Sequence, residues 1–207
     1  MFALVYKSDN SITRMLSGNK GITIGDNQYP RAIFSLWSES ERNAINIYTI
    51  AIDESKRKDE KWYINTNMTY SFDGTNATGS YGDAVARAHA DTKWTQEEID
   101  DGKAPEGADT DTVAAEGLKT VLIRQVKSQA ENELNRTDWY ITRKSENNTA
   151  IPSAITTHRD AVRTKQDSMC TAITNASDTP ALETLYTYTT QEDGSVTRPL
   201  GELPTLE

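Results

Sequence analysis

The feature that most constrains the fold is a change in apolar spacing along the chain. Between residues 62 and 72, apolar residues occupy alternate positions, the period of a strand with one face on a core. After Thr112, residues such as Leu118, Leu122 and Val126 recur at the spacing of a helix buried along one side. Two patterns in separate halves predict an α+β protein. The alternating set is Trp62, Ile64, Met68, Tyr70 and Phe72.

Residues 1–90 are predicted to form a β-rich N-terminal domain. Residues 2–6 and 11–16 suit a hairpin around a Ser-Asp-Asn turn, and residues 22–24 suit a short strand between two glycines. The β-branched and aromatic stretch 45–52 predicts a strand buried on both faces. Further local signals are a capping box from Ser38 to Glu41, with Trp37 just outside it, and a turn at Asp73-Gly74.

Residues 91–111 differ in composition from the preceding half. Glycine and proline interrupt the stretch, and Thr95 could cap a helical turn. These features predict an acidic linker, most simply a solvated spacer; the alternative is a docking site for a basic partner. The acidic residues are Glu97, Glu98, Asp100, Asp101, Glu106, Asp109 and Asp111, against Lys93 and Lys103.

Residues 112–207 are predicted to form a helical hairpin module with a short terminal β-hairpin and an extended tail. We expect a first helix from Thr112 to about Asn135, and further helices after Thr137, at Pro152 and at Asp178 or Thr179. The third helix should bury a narrow stripe, and a turn at residues 192–194 should close the hairpin. The stripe consists of Ile155, Val162, Met169 and Ile173.

Three side chains of this module carry specific expectations. Trp139 is predicted to be a core anchor, as are the other tryptophans at positions 37, 62 and 94. Arg143 lies four residues after Trp139 on the same helix and could stack on its ring. His158 lies among polar residues, which favours a surface histidine over a ligand or base.

The composition argues against several classes of protein. A net charge of −9 disfavours binding to nucleic acid, because phosphate would repel the chain. No apolar run approaches the ~20 residues that span a bilayer, and residues 1–7 lack the features of a signal peptide. The single cysteine, Cys170, permits no disulfide within the chain and suits a reducing cytoplasm. The apolar fraction of 36% is low, which fits either thin modules with solvated segments or a core completed by a partner.

No residue pattern in the chain predicts catalysis. The two histidines, His89 and His158, lack the spacing of a zinc site, and there is no nucleophile elbow or phosphate-binding loop. Carboxylate pairs such as 97–98 and 100–101 lie in hydrophilic sequence, where a catalytic pKa is not expected. We therefore predict a non-enzymatic protein without a catalytic, cofactor or metal site.

Three blocks of the C-terminal half carry a resemblance to a known family. They are the run Thr137-Asp138-Trp139-Tyr140-Ile141-Thr142-Arg143-Lys144, the Ala150-Ile151-Pro152 that opens the next helix, and Arg159-Asp160-Ala161-Val162-Arg163. Together they resemble a helical module near the C-terminus of bacteriophage tail-fibre assembly and tail-fibre-associated proteins. The opening residues 1–5 and the region around Trp37 resemble the β-rich N-terminal halves of such proteins.

The resemblance implies a protein-binding function without an enzyme activity. It implies an assembly chaperone that binds a trimeric tail-fibre protein in the host cytoplasm and can remain on the virion tail. The alternative is a permanent virion component, either a tail-fibre adaptor or a baseplate-associated protein; a carbohydrate-binding tip is a third, weaker class. Neither nucleic acid nor membrane is an expected partner.

The N-terminal domain is the predicted fibre-binding part. Its short strands could pair with a β-rich fibre tip through their edges, whereas helices satisfy their own backbone groups. The helical module would then serve as a brace or as a surface for self-association.

Overall fold

The computed structural model describes residues 1–206 and divides the chain into two compact units, Met1–Val85 and a second unit that begins at Ala86. Strands dominate the first unit and helices the second, with a terminal β-hairpin after the last helix. The protein is therefore α+β, as the spacing of its apolar residues predicts.

The N-terminal unit contains eight strands and two short helices before the boundary strand. Helix α2 begins at Ser38 with the predicted capping box, in which Ser38 and Glu41 each accept from the other's backbone N–H. The elements are β1 (Phe2–Tyr6), β2 (Ser11–Leu16), β3 (Ile22–Ile24), β4 (Asn27–Tyr29), α1 (Ile33–Leu36), α2 (Glu39–Ala44), β5 (Ile47–Asp53), β6 (Tyr63–Ile64), β7 (Thr69–Phe72) and β8 (Ala77–Ser80). Strand β9 (Val85–Ala86) covers the boundary.

Five of these strands form one sheet in the order β2-β1-β5-β8-β7. The β5–β8 pair is parallel and the other pairs are antiparallel. A bulge between Leu4 and Val5 shifts the β1–β2 register, so that Leu4 pairs with Arg14 and Val5 with Ile12. Because one extra residue is inserted, Ile12 and Arg14 lie on opposite faces although they are two positions apart.

The sheet is covered with apolar residues on both faces. One face carries Ala3, Val5, Tyr48, Ile50, Phe72 and Ala77. The other face packs Leu16, Ile22, Ile33 and Ile47 with partly buried Phe2, Leu4 and Trp37. Strand β1 is therefore buried on both faces. Strand β5 is buried on both faces only in its first half.

The alternation predicted from residue 62 to 72 holds only in part. Trp62 and Phe72 are buried, whereas Ile64 and Tyr70 are exposed. Residues between β6 and β7 are not in a strand, so the two short strands do not share one buried face. Tyr70 lies on the edge strand β7 and its ring covers the backbone of Gly79 on β8, where a Cβ would lie 2.9 Å from the ring.

As far as residue 206, the C-terminal unit contains five helices and two antiparallel strand pairs, the second of which is the terminal hairpin. Helix α7 begins with Asp178 as its cap and Pro180 in its first turn, as predicted. The elements are β10 (Thr92–Lys93), α3 (Gln96–Asp100), β11 (Val113–Ala115), α4 (Leu118–Asn135), α5 (Asp138–Asn147), α6 (Ser153–Asn175), α7 (Thr179–Tyr186), β12 (Thr189–Thr190) and β13 (Val196–Thr197).

The stretch predicted as an acidic linker is folded and belongs to this second unit. Strand β10 pairs with β11 across it, and Lys93 forms an ion pair with Asp111 at 2.7 Å. Between them, Thr95 and Glu98 form a reciprocal capping box at the start of α3. The predicted domain limits at residues 90 and 111 therefore differ from the contact boundary after residue 85.

Helix α4 begins later than the sequence suggests, with Gly117 rather than Thr112 as its cap. Gly117 N–H donates to the carboxylate of Asp91 at 2.7 Å, and the next N–H donates to Ala88. A Cβ on Gly117 would lie 2.2 Å from the carbonyl carbon of Ala90. Position 117 requires a glycine, because the backbone at Ala90 passes too close to leave room for a side chain.

The core of the second unit lies between α4 and α6. Helix α4 buries Leu122, Val126 and Ala130. The opposing helix α6 buries the predicted stripe of Ile155, Val162, Met169 and Ile173. The chain then returns after the terminal hairpin, where Leu200 is buried and its carbonyl accepts from Lys165 at 2.9 Å.

Candidate functional site

The corner between helices α4 and α5 is built from the residues that carry the family resemblance. Thr137 is only 1% exposed, and its hydroxyl donates to the carbonyl of Leu134 at 2.9 Å. Arg159 of α6 is 8% exposed, and its Nη1 lies within hydrogen-bond distance of three acceptors. They are Leu134 O at 2.8 Å, Thr137 Oγ1 at 2.7 Å and Asp138 Oδ1 at 2.8 Å.

These contacts, which we name the Arg159 latch, tie the first turn of α5 to α6. A guanidinium buried between helices is stabilised by hydrogen-bond acceptors, and those of Nη1 come from two segments over twenty residues away in sequence. The buried Nε has no acceptor among residues 1–206. The Thr-Asp pair and the Arg-Asp-Ala-Val-Arg block are therefore in direct contact. Sequence spacing alone gives no signal for this pairing.

A second polar cluster lies beside the latch and contains His158. The ring is 9% exposed, and its Nε2 lies 3.1 Å from Glu133 Oε1, although without hydrogen-bond geometry. The prediction of a surface histidine is wrong. His158 follows Ile155 by three positions and precedes Val162 by four, so helical spacing already places it on the buried stripe.

Glu133 joins three segments of the C-terminal unit. Its carboxylate accepts from the backbone N–H of Leu206 at 3.0 Å and from Arg136 at 3.0 Å. The hydrogen bond from Leu206 and then the Arg136 side chain hold the pKa of Glu133 below its ordinary value, against the opposing effect of burial. The cluster thus fixes the end of the chain to α4.

Helix α5 carries an aromatic cluster that is partly exposed to solvent. Trp139 is 52% exposed, so the prediction that it anchors the core is wrong. The Trp139 and Tyr140 ring centroids lie 3.9 Å apart, and the Arg143 guanidinium lies 4.7 Å from the Trp139 centroid. The predicted stacking of Arg143 is confirmed. We call Trp139, Tyr140 and Arg143 the α5 aromatic face.

The α5 aromatic face has the composition of a protein-binding surface. No residue of α5 is fully buried, although Tyr140 and Arg143 are half-buried, and the latch holds the first turn of the helix. Tryptophan, tyrosine and arginine are the residues most enriched among energetic hot spots of protein interfaces. Stacking already restricts the conformations of these three side chains, so the binding of a partner would cost less conformational entropy.

The N-terminal unit offers a different kind of surface. Strands β2 and β7 are the outermost strands of the five-stranded sheet. Strand β7 has Tyr70 exposed along it, and Ile52 and Ile64 are exposed elsewhere in the unit. These are the edges at which the sequence predicts pairing with a β-rich partner.

The remaining tryptophans and the cysteine occupy structural positions. Trp62 is buried as predicted, whereas Trp37 and Trp94 are half-buried. Cys170 is half-buried on α6, and burial raises the pKa of its thiol, which makes it less reactive.

Among residues 1–206, no three His, Cys, Asp or Glu side chains are grouped closely enough to hold a metal ion. Hydrogen bonds from caps and turns lower the pKa values of carboxylates such as Glu41, Glu98 and Asp73. Over the same residues, no helix has the length and apolar character needed to cross a membrane.

Comparisons of this chain with protein-family models, curated proteins and solved structures gave no match. The family resemblance of the three C-terminal blocks therefore stays a prediction. What the structure adds is a physical role for those blocks: a latch made by Thr137, Asp138 and Arg159, and a partly exposed aromatic face that follows it.

Proposed function

We propose that this protein is a non-enzymatic binding factor that contacts another protein through the α5 aromatic face. The observation that carries the proposal is that Trp139 is half exposed and stacks with the half-buried Tyr140 and Arg143, on a helix without a fully buried residue. A tryptophan that is half exposed to water lacks part of the free energy that full burial of its ring would contribute. A partner that covers this face would recover it.

For the partner, we propose a trimeric bacteriophage tail-fibre protein, with this chain as its assembly chaperone. This step is supported by the resemblance of residues 137–144, 150–152 and 159–163. The chaperone would act in the host cytoplasm, and it could remain attached on the virion tail. The alternative within the same family is a permanent tail-fibre adaptor or baseplate-associated protein.

Two surfaces of the protein are candidates for the contact with the fibre. The sheet edges of the N-terminal unit remain a prediction from the sequence. The exposure of Trp139 favours the C-terminal unit, because a tryptophan predicted to be core is instead available to a partner. We therefore place the primary contact on α5, and the edge strand β7 is the surface to test against it.

Co-expression with the tail-fibre gene of the same phage tests the function. The readout is the yield of soluble fibre trimer with and without this chain. A chaperone should raise that yield, whereas a permanent decoration should bind only fibre that has already folded. Mass spectrometry of purified virions then shows whether the protein stays attached.

Matched variants test the site. Trp139→Ala and Arg143→Ala should lower fibre binding by about tenfold or more, the usual loss at a hot spot. Lys144→Ala is the control on the same helix, outside the aromatic face, and should leave binding unchanged. If Tyr70→Ala on β7 abolishes binding while Trp139→Ala does not, the contact lies on the sheet edge. If no variant and no wild-type chain binds fibre or virion, the proposed function is wrong.

A further inference from the structure

A pocket of about 330 Å³ opens beside strand β2 in the N-terminal unit. It shares no residue with the α5 aromatic face, and the proposed function makes no use of it. The end of β2, the loop 17–21, the start of β3 and Phe34 of α1 form its walls. Its volume lies at the lower end of the range of small-molecule sites.

Strand β2 places a cation above an apolar floor. Arg14 and Leu16 pair with Leu4 and Phe2 of β1, so they lie on the same face of the sheet. Leu16 is buried in the cluster on that face, together with Ile22. Arg14 is exposed and lines the pocket.

The loop 17–21 is fixed against the core by its two glycines. Gly18 has a φ of +73°, and a Cβ there would lie 2.9 Å from Phe2 Cε2 and 3.3 Å from Phe34 Cβ. At Gly21 a Cβ would lie 2.7 Å from the carbonyl oxygen of Tyr29. The loop backbone therefore approaches the core too closely for any side chain at either position. Lys20 lies between these two constrained points.

The charge of the pocket is uncompensated. Arg14 and Lys20 are its only charged lining residues, and none of the lining residues is acidic. Within residues 1–206, neither cation makes an ion pair or a side-chain hydrogen bond, and the backbone N–H groups of Gly18 and Lys20 have no acceptor. Other basic residues of the unit, such as Lys56 and Arg57, are ion-paired. Two like charges on one small pocket favour an anion between them.

We propose that this pocket binds a compact organic anion, with a carboxylate or phosphate group on an apolar or ring-shaped body. The anionic group would contact Arg14, whose planar guanidinium suits both oxyanions, and Lys20 as a point charge. The body would pack against Phe34 and the apolar floor formed by Leu16 and Ile22. The volume limits that body to about the size of one sugar or one aromatic ring.

Titration of the full chain by ¹H–¹⁵N NMR tests the proposal. The probes are phenyl phosphate and benzoate, with benzyl alcohol as the neutral compound of similar shape. Both anions should cause saturable shifts at residues 14–22 and 34, and the dianionic phenyl phosphate should bind more tightly. Benzyl alcohol should bind at least about tenfold more weakly, because it gains no charge-assisted hydrogen bond. Equal binding of the neutral compound, or no saturable shift in this region, overturns the assignment.

Two variants locate the charges that bind. Arg14→Gln and Lys20→Gln should each weaken phenyl phosphate by about tenfold. Arg31→Gln is the matched control, because Arg31 is an exposed cation outside the pocket with no ion pair in the described chain. Lys20 lies on an exposed loop, so Lys20→Gln is the decisive variant if Arg14→Gln disturbs the sheet. If Lys20→Gln is folded and binds phenyl phosphate with unchanged affinity, the two-cation site is refuted. The affinities of these two pocket variants do not test the proposed contact on α5.

Discussion

Replacing Arg159 with methionine is expected to destabilise the protein by about 2–3 kcal/mol, because it removes the latch at the base of α5. Two of the three acceptors, Leu134 O and Thr137 Oγ1, are neutral and lie at 2.8 and 2.7 Å from one shared nitrogen. A hydrogen bond with a charged donor contributes about 1.5–3 kcal/mol, and the shared donor keeps the two from adding fully.

The third contact, to Asp138, contributes less. The carboxylate side chain is 52% exposed, so water replaces the guanidinium at little cost and the pair stabilises by at most about 1 kcal/mol. Methionine fills a similar volume and does not require a buried charge, which offsets part of the loss. Asp138→Asn should therefore cost less than about 1 kcal/mol, and Arg159→Met should cost clearly more.

Urea unfolding followed by far-ultraviolet circular dichroism measures the difference, because the long helices lie in the C-terminal unit. Arg163→Met is the matched control on the same helix, since Arg163 is exposed and its ion pair with Asp160 at 3.4 Å should contribute little. If Arg159→Met and Arg163→Met cost the same, or if Asp138→Asn costs as much as Arg159→Met, the latch does not stabilise α5 as argued.

Three further outcomes are expected. Trp139→Ala should cost less than about 1 kcal/mol in the same unfolding experiment, because the ring is half in water, and a loss of 3 kcal/mol or more, the buried-aromatic range, would contradict its exposure. Gly117→Ala should cost at least about 2 kcal/mol or prevent folding, since its Cβ would meet the Ala90 backbone, and a neutral result in a thermal melt would refute that contact. Because the folded-state pKa of Glu133 is lowered, its carboxylate contributes to the free energy of unfolding above the ordinary glutamate pKa of about 4.5, and this contribution is lost as pH falls through the folded value. Unfolding measured across this range should show a smaller loss of stability on acidification in Glu133→Gln than in the wild type.

The sequence by itself determined the elements whose signals are local. The capping box at Ser38–Glu41 formed as predicted, since a cap needs only residues three positions apart, and the helical turn predicted after Thr95 also formed. The turn at residues 192–194 closed the terminal hairpin between β12 and β13. The buried stripe of α6 followed from the helical period, because a helix with one apolar side must cover it. These signals also gave the α+β class.

Local patterns failed where a distant segment decided the outcome. The acidic stretch pairs β10 with β11 on either side of α3, and net charge gives no sign of such pairing. The sequence predicts that the first long helix begins at Thr112, yet it begins after Gly117, where the Ala90 backbone passes against the glycine. In both cases the deciding contact joins residues twenty or more positions apart.

The candidate site shows the same division. The block 137–144 and its stacked Trp139 and Arg143 were visible in the sequence, since helical spacing brings positions four apart together. Whether Trp139 faced a core or solvent depended on what packs against α5, and only the tertiary structure decided that. Arg159 takes Thr137 and Asp138 as its acceptors, which fixes the base of the helix, and Trp139 stays half exposed. Periodicity determines which side chains share a face, whereas the partner that covers a face comes from elsewhere in the chain or from another molecule.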